Sequence, residues 1–229
     1  MKTPAKFILC YVTDQQSVAI PPERNREASL LQSIETAAHA GVHWIQIREK
    51  DLSASRLLHL TRAAIRVADR AVAESPTRVL VNDRYDVAWA ASAHGVHAAE
   101  TSVPIHVLVT AARAAGRRHF LVGASCHSQQ RAIEAAKEGA DYLFFGPVFA
   151  TPSKQAFGAP QGLRKLAEVC AAVSIPVIAI GGITVENAPA CQQAGAAGIA
   201  AIRLFRHAQD STAVITALLE AVSRDRLLS

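Results

Sequence analysis

Two hydroxyls and one cation, Thr151, Ser153 and Lys154, follow shortly after the apolar run Tyr142 to Phe145. A run of that kind suits a strand buried on both faces. Gly146 and Pro147 break it. In an α/β chain, a strand that ends in hydroxyls and a lysine is where an anionic substrate would be held. An ordinary βα connection with a solvated lysine would read the same way.

Other short apolar runs end similarly. Gln46, Arg48 and Lys50 lie at the end of Trp44 to Ile47, and Asn82 and Asp83 follow Val79 to Val81. Ser125 and His127 follow Phe120 to Ala124, and Gly181 and Gly182 follow Pro176 to Ile180. Arg203 follows Gly198 to Ile202. Two groupings carry chemistry. Gly181-Gly182 and the backbone at Ile202-Arg203 match a barrel phosphate site: glycine lets bare N–H groups approach the oxygens, and an arginine grips them bidentately. A tight turn needing positive φ is the competing explanation. Arg48, Lys50 and Lys154 with the carboxylate Asp83 suit a pyrophosphate with Mg2+. Taken singly, each is a solvated charge, and Glu49 could simply pair with Lys50. His127 is a candidate acid–base group, or else a cap on the helix after it. His97 reads as a half-buried core histidine.

These residues need elements that bring them together. Strand-like runs alternate with segments of helical periodicity: Glu27 to Ala40, Ser53 to Ala71, Tyr85 to Ala91, residues 103–115, Ser128 to Lys137, Gly162 to Ala172, Thr184 to Ala194 and Thr212 to Val222. Ser53 and Ser128 are placed to cap the helices they open. Eight βα repeats in 229 residues imply parallel strands with right-handed crossovers. The expected fold is α/β, a (β/α)8 TIM barrel forming one domain over residues 1–229, with its core at about 7–224. A doubly wound open sheet is the alternative, but no GxGxxG follows the first strand. In a barrel, all the residues above would converge on one mouth.

Composition narrows the partners. Half of the residues are hydrophobic, 19% are charged, and the net charge of +5 is scattered along the chain. With 5% aromatic residues and no basic–aromatic run, small anions fit better than nucleic acid. Cys10, Cys126, Cys170 and Cys191 make no CxxC pair or zinc spacing. They read as four free thiols in a reducing compartment. No stretch approaches the roughly 20 apolar residues of a membrane span, and the first apolar run is too short for a secretion signal. A soluble cytoplasmic protein is expected. The oligomeric state is open, a homo-oligomer included.

The motifs together resemble a known family. Trp44-Ile-Gln-Ile-Arg-Glu-Lys50, Val81-Asn-Asp-Arg84, Gly95-Val-His97, Gly123-Ala-Ser-Cys-His127, Asp141 to Lys154, Ile180-Gly-Gly-Ile183 and Gly198-Ile-Ala-Ala-Ile202 follow in the order of the thiamine phosphate synthases, a family that includes the thiazole tautomerases. The likeness spans roughly residues 7 to 205. It implies a transferase that joins hydroxymethylpyrimidine diphosphate to thiazole phosphate and releases pyrophosphate. On that resemblance Arg48, Lys50, Asn82 and Lys154 would hold the pyrophosphate, and Gln46 would lie near the pyrimidine. Asp83 would ligate Mg2+. Ser125, Thr151, Ser153, Gly181, Gly182 and the backbone at Ile202-Arg203 would hold the thiazole phosphate.

The departures bear on function. Ser102 stands where synthases carry a second acidic Mg2+ ligand, so Asp83 is left with water and diphosphate unless Glu100 substitutes. Arg203 replaces a small residue, and Ser153 a threonine. Tautomerases also lack the second acid, and use the histidine matching His127 to move a proton without a metal. They tend to lose the pair kept here as Asn82-Asp83. The sequence therefore sits between two activities, the synthase first and the tautomerase second, with a non-catalytic binder of thiamine precursors as a third role.

Overall fold

A computed structural model describes residues 6–17, 25–71, 76–151, 159–206 and 211–225. Eight strands close into a barrel: β1 (Ile8–Val12), β2 (Trp44–Ile47), β3 (Arg78–Asn82), β4 (Gly95–Ala98), β5 (Leu121–Cys126), β6 (Tyr142–Phe145), β7 (Val177–Ile180) and β8 (Gly198–Ala201). Each pairs in parallel with its sequence neighbour, and β8 returns to β1 through Ile8 opposite Gly198. The expected TIM barrel is the observed fold.

Helices follow the strands: α1 (Arg26–His39), α2 (Ala54–Arg70), α3 (Tyr85–Ala90), α4 (Ile105–Ala114), α5 (Gln129–Lys137), α6 (Gly162–Ala172), α7 (Ala188–Gln193), α8 (Arg203–Arg206) and α9 (Ser211–Asp225). Ser53 and Ser128 cap α2 and α5 as expected, accepting from the Arg56 and Arg131 amides. Asn25 does the same for α1, accepting from the Glu27 and Ala28 amides.

Alternation along the strands divides the core in two. Leu9, Ile45, Val79, Val81, Val122 and Leu143 pack outward under the helices. Cys10, Val12, Trp44, Leu80, Tyr142, Phe144, Ile178 and Ala200 fill the barrel. Trp44 and Tyr142 meet at its centre with ring centroids 4.6 Å apart. Gly123 makes room for that ring, since a Cβ there would stand 2.1 Å from Tyr142 Cζ. On the inward parity, the residues after these apolar ones are polar: Gln46 after Trp44, Asn82 after Leu80, Ser125 two beyond Gly123. The interior is thus apolar below and polar toward the C-terminal ends of the strands.

Some boundaries differ from the sequence reading. β5 runs to Cys126 because the ladder to β6 continues through Ser125–Phe144 and Cys126–Phe145, so Ser125 is a strand residue. α7 starts at Ala188 and not at Thr184. There Asn187 Oδ1 accepts from the Thr184 amide at 2.9 Å and Thr184 Oγ1 from the Asn187 amide at 3.3 Å, an exchange that holds a turn. β8 stops at Ala201, and Arg203 opens the short α8, whose Phe205 packs 5.5 Å from the Tyr11 ring. Among the described residues, no helix is long and apolar enough to cross a membrane.

Candidate active site

β2 and β3 bring their polar ends into contact. Gln46 is buried, and its Nε2 donates to Asn82 Oδ1 at 3.0 Å. Arg48 is tied to the β1 loop. Its backbone N–H donates to Thr13 Oγ1 at 3.0 Å, and its Nη1 lies 3.9 Å from Asp14 Oδ2. Both partners of that ion pair are partly exposed, so the guanidinium keeps access to solvent. Glu49 turns inward and accepts from the Gln15 amide at 2.9 Å, which fastens the β2 loop to the β1 loop. Lys50 is exposed on the same loop.

Asp83 follows β3 in the left-handed region, at φ 65°. Its N–H donates to the His97 carbonyl at 2.8 Å, and its Oδ1 faces the Ala99 amide at 3.4 Å. Among the described residues, no group of three or more His, Cys, Asp or Glu could hold a metal ion. Glu100 faces the other way, with Oε2 3.9 Å from His127 Nε2. One hard carboxylate at the rim still fits Mg2+, which commonly takes one or two carboxylates and completes its shell with water and substrate phosphates.

β4, β5 and β6 form a buried polar column. His97 is fully buried and not half-buried as its sequence position suggests. Its Nδ1 meets the Tyr142 hydroxyl at 3.1 Å and its Nε2 the Ser125 hydroxyl at 2.9 Å. Its ring lies against Phe144, with centroids 4.2 Å apart. Burial pushes its pKa down to about 3, so the ring is neutral. His127 is half-exposed at the rim, and its Nδ1 donates to the Gly146 carbonyl. That bond directs Nε2 outward toward Glu100.

The β6 and β7 loops are built on one another. The Val148 amide donates to the Ile180 carbonyl and the Phe149 amide to the Gly181 carbonyl, both at 2.9 Å. Gly181 and Gly182 have φ of 98° and 67°. A Cβ on Gly182 would stand 2.6 Å from the Ala150 carbonyl oxygen. Asn187 Nδ2 donates to the Gly182 carbonyl at 2.9 Å and fixes the turn. From β8, Arg203 reaches across, its Nη2 donating to Thr151 Oγ1 at 3.1 Å. Ile202 lies beside it against the interior cluster.

Gln46 therefore meets Asn82, Arg203 meets Thr151, and the strand ends carrying Arg48, Asp83, Ser125, His127, Gly181, Gly182 and Ile202 share one rim. Ser153 and Lys154 lie outside the described residues. Sequence reasoning missed Thr13, Asp14 and Gln15, although they obey the same rule of polar residues after a strand. It also missed Tyr142, whose hydroxyl is invisible within an apolar run.

The matched thiamine monophosphate synthase model covers residues 9–205. The chain belongs to the thiamine monophosphate synthase family. It is 35% identical over 217 residues to the thiamine-phosphate synthase of Roseiflexus castenholzii, covering 95% of this chain and 89% of that one. Identity to the thiamine-phosphate synthase of Chlorobium luteolum is 35% over 230 residues, with 99% and 98% covered. Among solved structures, a thiamine phosphate pyrophosphorylase from Pyrococcus furiosus superposes with a TM-score of 0.80 at 30% identity, covering 96% of this chain and 98% of that chain. Membership of the thiamine monophosphate synthase family agrees with the order of motifs around the rim.

Proposed function

We propose that this chain is a thiamine-phosphate synthase: it joins hydroxymethylpyrimidine diphosphate to thiazole phosphate and releases pyrophosphate. The reading is carried by the contact between Gln46 and Asn82 beside Arg48 and Asp83. It forms a polar wall for a diphosphate, which a tautomerase has no use for. In this reading Arg48, Lys50, Asn82 and Lys154 hold the diphosphate and the charge that grows on it as the C–O bond breaks. Gln46, held by Asn82, turns its carbonyl oxygen to the pyrimidine. Asp83 would hold Mg2+ with water and diphosphate oxygens, and the ion would neutralise the leaving charge.

Across the rim, Gly181, Gly182, Ser125, Thr151, Ser153 and the Ile202-Arg203 backbone hold the thiazole phosphate, with its ring nitrogen facing the pyrimidine methylene. The C–N bond forms there, and catalysis is mainly positioning and charge stabilisation. In this reading the setting is cytoplasmic, and the described residues form one barrel domain. Incubation with both substrates and Mg2+ tests the reading: thiamine phosphate and pyrophosphate should form in equal amounts. No product at high enzyme concentration rejects it.

The second reading is thiazole tautomerase, favoured by His127 Nε2 standing 3.9 Å from Glu100. That pair could exchange a proton with a ligand without a metal. Metal-free conversion of the thiazole carboxylate phosphate, lost in His127→Ala, would support it. Phosphate binding with neither activity would leave a non-catalytic binder.

A further inference from the structure

His97 and Tyr142 take no part in the chemistry above, yet they occupy the centre of the barrel directly beneath Ser125. Tyr142 is fully buried, and among the described residues its hydroxyl has one hydrogen-bond partner, His97 Nδ1 at 3.1 Å. A phenol proton in that position must be donated there, because an unsatisfied buried donor costs about 1–3 kcal/mol. Nδ1 is then the acceptor. A neutral imidazole has one N–H, so the proton sits on Nε2. That N–H donates to Ser125 Oγ at 2.9 Å. The serine's own proton is left over, and no other partner engages it among the described residues.

We infer that Tyr142 and His97 are positioning residues that set the polarity of Ser125, so that its hydroxyl accepts from His97 and donates toward the rim, to an anion's oxygen. The direction matters. A phosphate oxygen offers only lone pairs. With the opposite tautomer, Ser125 would spend its proton on Nε2 and turn lone pairs toward the anion. The chain of donors, Tyr142 O–H to His97 Nδ1 and Nε2–H to Ser125 Oγ, runs outward from an apolar interior, where aligned hydrogen bonds reinforce one another. The Phe144 ring against His97 and the glycine at position 123 that admits the Tyr142 ring hold the geometry. This inference rests on Ser125 being a phosphate ligand.

Two measurements test it without needing turnover. Long-range 1H–15N NMR on histidine-labelled free protein should show His97 with a bare Nδ1 and a proton on Nε2. A proton on Nδ1 overturns the inference while leaving the synthase reading intact. Calorimetry with thiazole phosphate should show Tyr142→Phe and His97→Leu weakening binding about tenfold. His97→Gln, whose amide N–H can reach Ser125, should stay within about threefold of the parent. In a Ser125→Ala background, Tyr142→Phe should have no further effect. Equal losses in His97→Leu and His97→Gln, or an undiminished Tyr142→Phe loss without Ser125, would mean a packing role and sink the proposal. Absent synthase turnover with the expected tautomer and affinities would instead count against the activity alone.

Discussion

Arg203, the first residue of α8, donates through Nη2 to the Thr151 hydroxyl on the β6 loop at 3.1 Å, across 52 residues of sequence. The bond spans the turn of Gly181 and Gly182, so the arginine closes one side of the proposed phosphate cradle.

Arg203→Ala should therefore raise the KM for the phosphorylated thiazole about tenfold, the worth of one charge-assisted hydrogen bond. The KM for the diphosphate should change little. Lys154→Ala should do the reverse. Steady-state kinetics with each substrate varied in turn would decide, and equal effects of both variants on both ligands would contradict the division of the rim.

Gly182→Ala tests the cradle itself. The new Cβ would stand 2.6 Å from the Ala150 carbonyl oxygen and 2.7 Å from Phe149 Cβ, at a φ of +67°. Strain and overlap together should cost about 2 kcal/mol or more. Chemical denaturation should show this as a lower midpoint at unchanged slope. Thiazole phosphate affinity should fall as well. A variant with parental stability would mean that the β6 loop yields freely.

Asp83→Asn separates charge from backbone. Asp83 sits at φ 65°, a region that asparagine tolerates. The fold should be kept, with stability within about 0.5 kcal/mol of the parent. The Mg2+ concentration for half-maximal synthase rate should rise at least about tenfold, since the carboxylate is the one acid proposed for the ion. An unchanged Mg2+ requirement would move the ion elsewhere.

His127→Ala divides the two candidate activities. Thiamine phosphate formation should stay within about threefold of the parent, because positioning and charge stabilisation carry that reaction. Any tautomerase activity should disappear with the imidazole. Tautomer conversion that survives the substitution would remove His127, and its Glu100 neighbour, from acid–base work.

Acid should loosen the barrel through His97. Burial lowers its pKa from 6.5 to about 3. Below about pH 6.5 the unfolded chain binds a proton that the folded chain refuses. Stability from this residue is therefore complete above pH 6.5 and is lost as the pH falls toward 3. By pH 5 the loss should be about 2 kcal/mol. Urea midpoints at pH 7 and pH 5 measure it, and His97→Gln should shrink the difference by about that amount. What persists belongs to His43, whose pKa burial lowers to about 4, and to His94, lowered by burial as well. An undiminished difference in the variant would remove His97 from the account.

The local pattern of the chain was enough to set the class of fold. Alternating apolar runs and helical faces admit few arrangements other than parallel βα units, because a strand buried on both faces needs helices over it. The same pattern placed Arg48, Asn82, Asp83, Ser125, Gly182 and Arg203 at strand ends. It could not say which strand ends touch. Gln46 with Asn82, Arg203 with Thr151, and the column of Tyr142, His97 and Ser125 depend on closure of the barrel and on the register between strands. Position along the chain gives the identity of a side chain and its parity. Only tertiary packing chooses its neighbour across the sheet, and with it the burial that keeps His97 neutral and the direction in which Ser125 offers its proton.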